Sequence, residues 1–367
     1  MKAVVLVENL QKRLSLVNHA ISSRNQLPIL SYILLEAKGE GLSFSATDLE
    51  IGIETSSSAL VSSEGSVVVP AKLFLELVNT LSQEKVTLEL LGNSLEVTTS
   101  RTKSLLQTLP ADEFPRLYED KGTELFSFEA VEFQKVFSSV VFAASAESTK
   151  PALAGVLIVE KEEEMHAVTT DGFRLSFSKI PAKKGNEGNR RIIVPAKVIR
   201  EALQMKGSGN IGMFVAHESN QVIFSQGETN IVGRVIEGEF PNYEKVLPLE
   251  ATTVVEFDRE SLLKAVRTSA IFAREAANII KLSFLKRKII ITARTPSLGE
   301  NTVEVEAKLS GEENEIAFNA RYVLEALGNI DVEDVTFEMT GPLSPGVFKR
   351  KGDDSFLHVI MPIRTTT

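Results

Sequence analysis

The chain contains no cysteine. Disulfides, thiolate metal sites, iron–sulfur clusters and cysteine nucleophiles are therefore excluded, and a reducing, cytoplasmic compartment is the natural setting. Histidine is scarce: His19, His166, His217 and His358 are scattered without HxH or HxxxH spacing, so no histidine metal site is expected. Long apolar runs are missing as well. The opening stretch MKAVVLVENLQKRLSLV is broken by Glu8, Lys12 and Arg13 before it reaches signal-peptide length, and nothing later approaches about 18 apolar residues. Neither a leader nor a membrane span is expected. The phosphate-binding loop GxxxxGK, the nucleophile elbow GxSxG, the zinc motif HExxH and the dinucleotide glycine pattern are absent too, so no cofactor is expected.

What is present is ordinary for a folded protein of several domains. The 367 residues are 43% hydrophobic, enough for a large core, and the length suggests two or three domains. Charge is less ordinary: 40 Lys and Arg against 49 Asp and Glu give a net of −9. As an average, this opposes binding to nucleic acid or an anionic membrane, unless the charges are segregated.

The most informative pattern is an internal repeat. Val68-Val69-Pro70-Ala71-Lys72 returns as Ile193-Val194-Pro195-Ala196-Lys197 and, more loosely, as Ala317-Phe318-Asn319-Ala320-Arg321; the basic residue recurs after 125 and then 124 positions. Glu113-Phe114-Pro115 returns as Glu239-Phe240-Pro241, and Ala46-Thr47-Asp48 as Thr169-Thr170-Asp171. Each unit reads as a strand, a helix, several strands, a short helix and several strands. After Pro70, Leu73, Phe74, Leu77, Val78 and Leu81 take helical spacing, and a proline at that boundary fits because the first helical turn has no partners for its N–H groups. The reading is an α+β fold of three repeated domains, at 1–120, 121–248 and 249–367, each with two helices on antiparallel sheets.

The helices are expected over 8–24, 71–81, 131–151, 196–206, 258–274 and 320–329. These stretches hold 14 Lys and Arg against 8 Asp and Glu, a net of +6, which leaves −15 for the rest. Lysine and arginine are good helix formers, so a solvated face would also give this excess. Placement favours a ligand: Lys72, Lys197 and Arg321 recur at a helix start, where the dipole disfavours a cation.

The ordered set of motifs resembles the bacterial sliding-clamp family, the beta subunits of DNA polymerase III. Besides the repeated elements it includes Leu27-Pro28-Ile29-Leu30, Asp48-Leu49-Glu50, Asp171-Gly172-Phe173-Arg174-Leu175, Asn242-Tyr243 and the ending Val359-Ile360-Met361-Pro362-Ile363-Arg364. The resemblance spans the whole chain. It implies a non-enzymatic processivity factor: a head-to-tail homodimer forming a six-domain ring, with helices lining a hole for double-stranded DNA bound without regard to sequence. Twelve helices about 9 Å apart enclose a ring about 35 Å across their axes. Subtracting a helix width leaves roughly 25 Å, wide enough for a duplex.

The same resemblance implies individual sites. Arg24, Lys72, Lys150 and Lys197 match DNA-contacting positions. Leu153, Thr170, Gly172, Phe173, Arg174, Leu175, Pro241, Lys245, Val246, Val359, Met361, Pro362, Ile363 and Arg364 match a pocket that takes short linear motifs of the replicative polymerase, the clamp loader, and repair and translesion polymerases. Apolar side chains would line that cleft, a methionine would adapt to varied ligands, and the arginines would meet carbonyls or acidic groups. Leu106, Ile271 and Phe272 match the dimer seam. The chain departs from relatives at Glu147, Pro151 and Ala152, in place of Gln and paired Tyr near the primer–template junction. It also has Phe173 for His, Lys245 for Arg, and Ser104 for a larger apolar residue.

Two other readings compete. Asp48, Asp171 and His166 could be a carboxylate site of a hydrolase or transferase. Because the two Asp are equivalent positions of different repeats, and Asp171-Gly172 is a hairpin signal, a shared turn role is the simpler account. A repeat scaffold without a DNA role is the other alternative, and the charge segregation speaks against it.

Overall fold

The structure is a computed structural model describing residues 1–21, 27–82, 85–147, 150–161, 164–181, 190–216, 220–247, 250–295 and 299–364. Among these residues, six α-helices follow the order the repeat predicts: α1 (Val7–Val17), α2 (Ala71–Thr80), α3 (Ala130–Val141), α4 (Ala196–Ala202), α5 (Arg259–Ala273) and α6 (Ala320–Asn329). In α1, Val7, Leu10, Leu14 and Val17 form one stripe and are all buried. Each contributes roughly 2 kcal/mol of apolar burial. On the opposite face, Glu8 and Lys12 form a 2.7 Å ion pair one turn apart.

Three helices stop sooner than their spacing suggests. Past Val17, α1 continues only as the 3-10 turn Asn18–Ala20. Helix α3 ends at Val141, ten residues early, and α4 at Ala202 rather than 206. After Val141 the alanines and serines keep helical spacing without the bulk to bury a stripe. The Thr169 hydroxyl also takes the carbonyl of Val140, and Pro151 holds Lys150 outside the helical region. Over the observed helices the charge is ten Lys and Arg against six Asp and Glu, a net of +4, leaving −13 elsewhere. The segregation is thus smaller than the sequence reading gives, but of the same sign.

The chain divides into two compact units, residues 1–130 with 200–235 and residues 131–199 with 236–367. The first unit contains a five-stranded and an eight-stranded sheet, the second a twelve-stranded sheet. All ladders among the described residues are antiparallel. In the first unit, strand Thr229–Arg234 of the second repeat pairs with strand Ile51–Ser58 of the first, Ile231 opposite Ile53. In the second unit, strand Arg174–Pro181 of the second repeat pairs with strand Asp353–Ile360 of the third, Leu175 opposite Val359. Each large sheet is therefore shared by two successive repeats, and the middle repeat contributes to both.

The third repeat has an aromatic core in which Phe337 packs on Phe284 and Phe348, with ring centroids 4.7 and 4.9 Å apart. A second cluster of the same unit gathers Leu157, Val168, Leu175, Phe177, Ile193, Phe240, Tyr243, Val347 and Val359. That cluster underlies the surface where the pocket residues are expected.

Candidate functional site

Two equivalent turns show what the repeated Thr-Asp pair does. In the second unit the Thr170 hydroxyl donates to the Arg174 carbonyl (2.6 Å) and accepts from the Gly172 amide (3.0 Å). The Asp171 carboxylate accepts from the amides of Phe173 (2.9 Å) and Arg174 (3.0 Å). In the first unit Thr47 and Asp48 make the same four bonds, to Ile51, Leu49, Glu50 and Ile51, at 2.8 to 3.0 Å. Both carboxylates satisfy turn amides, as the turn reading expects. His166 stands apart from this turn, beside the Tyr243 hydroxyl (3.2 Å) and Glu164 (3.3 Å), and burial is the main cause that lowers its pKa. Among the described residues, no group of three or more His, Asp or Glu is arranged to hold a metal.

The turn presents Phe173 outward, 64% exposed, while the next residue points in. Arg174 is buried at 6% exposure, and its guanidinium donates to Asp171 (3.0 Å), Glu325 of α6 (2.5 Å) and the Phe142 carbonyl just past α3 (3.1 Å). It also lies 4.6 Å from the ring of Tyr322. Arg174 is thus held from beneath by groups of its own unit, with each guanidinium nitrogen already bonded, whereas the sequence reading has it meeting carbonyls or acidic groups of a peptide. Glu325 is bound in turn by Arg321 at 2.7 Å. Burial pushes Glu325 up, but the bonds from Arg321 and Arg174 outweigh it and hold the carboxyl below its ordinary range. Glu325 and its network carry no signal in the sequence beyond the i, i+4 spacing to Arg321.

The ending strand is fixed against the same turn. The Met361 amide donates to the Phe173 carbonyl (2.9 Å), and the Ile363 amide to Ala317 (2.8 Å). Around this junction Gly172, Phe173, Pro241, Lys245, Val246, Met361 and Arg364 are exposed, with Pro362 and Ile363 half-buried. Leu153, Thr170, Leu175 and Val359 are buried, the last two inside the cluster described above. The fourteen expected residues therefore separate into an exposed rim and a buried support. Below them His358 is fully buried, hydrogen-bonded to Ser176 (2.6 Å), and burial, with Arg174 adding to it, pushes its pKa down to about 3.

The basic residues occupy equivalent helix starts. Lys72 and Lys197 are the second residues of α2 and α4, both exposed. Arg321 holds the same place in α6, but its charge is engaged by Glu325. There Asn319 replaces the proline of the other copies and caps the helix, its side chain accepting from the Arg321 amide at 2.9 Å. Lys150 is exposed ahead of the 3-10 turn Pro151–Ala154, and Arg24 lies outside the described residues. Of the seam residues, Ile271 is 58% exposed and Phe272 partly buried against the third-repeat core. Leu106 is only 2% exposed: its side chain is covered within its own unit, and the neighbour facing outward is Leu105, 59% exposed.

Comparison with known proteins identifies this arrangement. The DNA polymerase III beta subunit models match in order: the N-terminal domain over residues 1–118, the central domain over 127–242 and the C-terminal domain over 244–364. The beta sliding clamp of Caulobacter vibrioides is 32% identical over 371 residues, covering 99% of this chain and 100% of that one. That of Staphylococcus aureus is 30% identical over 357 residues, covering 94% of each. Among solved structures, the Bacillus subtilis DNA polymerase sliding clamp superposes with a TM-score of 0.94 at 25% identity, and a Pseudomonas aeruginosa clamp bound to griselimycin with 0.93 at 29%; both cover all of each chain. Three repeats in the three-domain clamp fold, with these motifs in this order, place the chain in the DNA polymerase III beta subunit family, the bacterial sliding clamps.

Proposed function

We propose that the protein works as a non-catalytic processivity factor. Two copies close head to tail into a ring around duplex DNA, and the ring tethers the replicative polymerase, the clamp loader, and repair and translesion polymerases through the rim of the second-unit cleft. The observation that carries this reading is the tiling of the whole chain by the three beta-subunit domains. It divides functionally as 1–120, 121–248 and 249–367.

The placement of charge supports the DNA role. Lys72 and Lys197, with Lys150 and Arg24, supply phosphate contacts that carry no sequence information, as sliding requires. An acidic remainder discourages binding to the outside. Two strand edges support closure by a second copy. Strand Lys103–Gln107 ends the five-stranded sheet. Strand Gly299–Gly311 pairs over 299–306 with Lys288–Thr295 alone. Such edges seek partners, and Leu105 and Ile271 add exposed apolar surface. Loading needs an ATP-driven partner, since the sequence has no nucleotide motif. The absence of cysteine favours the cytoplasm, and no described helix is long and apolar enough to cross a membrane.

The rim is tested by truncation. Deleting residues 361–367 is expected to abolish binding of a polymerase-derived clamp-motif peptide, measured by fluorescence anisotropy, without changing the melting temperature by more than a few degrees. Unchanged binding would remove the cleft from the account.

A further inference from the structure

The first unit repeats the geometry of the second-unit cleft with different chemistry. Ile51 pairs with Gly233 and Gly52 with Val232, just as Arg174 pairs with Ile360 and Leu175 with Val359. Arg234 therefore stands in the register of Met361. Pro115-Arg116-Leu117 likewise follows Glu113-Phe114 as Pro241-Asn242-Tyr243 follows Glu239-Phe240. Between these segments lies a cavity of about 330 Å³, within the range of small-ligand sites.

Three features make this cavity more than a geometric echo. The buried arginine of the twin turn is replaced by Ile51, 1% exposed, so the floor is apolar. Two cations line the cavity instead: Arg116 and Arg234 are exposed and make no ion pair among the described residues, and with the single exposed carboxylate Glu50 they leave the lining with a net positive charge. The position that is Gly172 in the twin turn is Leu49, held at φ 74° and 52% exposed. Leucine disfavours the left-handed region, and such strain is retained where the surroundings impose it, commonly at binding sites. Leu117 is placed by a hydrogen bond from Gln221 to its carbonyl (2.8 Å) and packs over Gly52, where a Cβ would come within 2.9 Å of its side chain.

We infer that this cleft is a second peptide site, and that its ligand is a linear segment of another protein in which a large apolar side chain is followed directly by Asp or Glu. The apolar group covers Leu49 and Leu117, and the carboxylate meets Arg116 and Arg234 in charge-assisted bonds. The inference rests on the peptide-cleft reading above for the class of ligand, but the two sites differ in charge and are separable by experiment.

The test follows leucine and methionine methyl signals of the full-length protein during titration with acetyl-Gly-Leu-Phe-Asp-Gly-amide and its Asn counterpart, each to about 5 mM. The Asp peptide is expected to shift the methyls of Leu49 and Leu117. The Asn peptide should bind at least about fivefold more weakly, the difference of one charge-assisted bond. The double variant R116E/R234E, altered only at exposed positions and checked by its melting curve, should lose the Leu49 and Leu117 shifts while keeping any shift of Met361. Silence of Leu49 and Leu117, equal affinity for the two peptides, or shifts that persist in the double variant would each overturn the site. Silence of Met361 alone would count against the second-unit cleft only.

Discussion

In the proposed function, Lys72 and Lys197 are the residues on which binding to DNA turns. They stand alike in two repeats, at helix starts where a cation gains nothing from the helix itself. Charge reversal of both is expected to weaken binding to duplex DNA uniformly across sequences and to lower the salt slope by about one for each phosphate left without its cation, measured by anisotropy over a salt series. A different residue contributes to the loss of stability in acid. His358 is buried and neutral, with its folded pKa pushed down to about 3 from 6.5. Because the unfolded chain takes up a proton that the folded one refuses, stability rises with pH and is lost as the pH falls below 6.5. Urea unfolding between pH 6.5 and 4.5 should show a slope approaching about 1.4 kcal/mol per unit from this group, and His358→Gln should remove that component.

Among the elements, Arg174 joins three: the turn ahead of its own strand, the end of α3 through Phe142, and α6 through Glu325. Arg174→Met would leave Asp171 and Glu325 short of a buried counter-charge, at a cost of about 3 kcal/mol, read as a fall in melting temperature. Since Glu325 is held below its ordinary 4.5, the contribution of this network is present above that pH and fades as the pH falls through the lower folded value. Little of this was legible in the sequence. Arg321 and Glu325 announce themselves by i, i+4 spacing, but Arg174 and Glu325 are 151 residues apart, and only folding brings them together. Repeated motifs such as Val-Pro-Ala-Lys and Thr-Asp were legible because each encodes local chemistry, a helix start and a self-bonded turn. The end of α3 was not, because its alanine- and serine-rich continuation keeps helical spacing without a helix; nor was that of α4, where the amides of Gln204 and Met205 close turns onto Glu201 and Ala202, three residues back, instead of continuing the helix. The exposure of Leu106 against Leu105 depends on which face of a strand is covered, a matter of pleat parity that one short strand leaves open.

For the whole molecule, the net charge of −9 is the sum of helices at +4 and a remainder at −13. This suits a protein that surrounds DNA loosely and holds it by topology rather than by affinity. A ring needs two copies. Ile271→Asp combined with Leu105→Asp should weaken self-association at least about tenfold, measured by sedimentation velocity across micromolar concentrations, by burying a charge in an apolar seam. The family and the clamp fold were legible in the sequence as an ordered series of short motifs, each unremarkable alone, and the comparisons show that same family over the whole chain.

Topological linkage to DNA is the central claim, and one measurement addresses it directly. The protein is loaded onto nicked circular DNA by an ATP-driven loader, freed of unbound protein by gel filtration in high salt, and the circle is then cut once. The account predicts that the protein stays with the intact circle through the salt wash and leaves promptly when the circle becomes linear. Loss in the salt wash before cutting, or retention on the linear product without blocked ends, would contradict it.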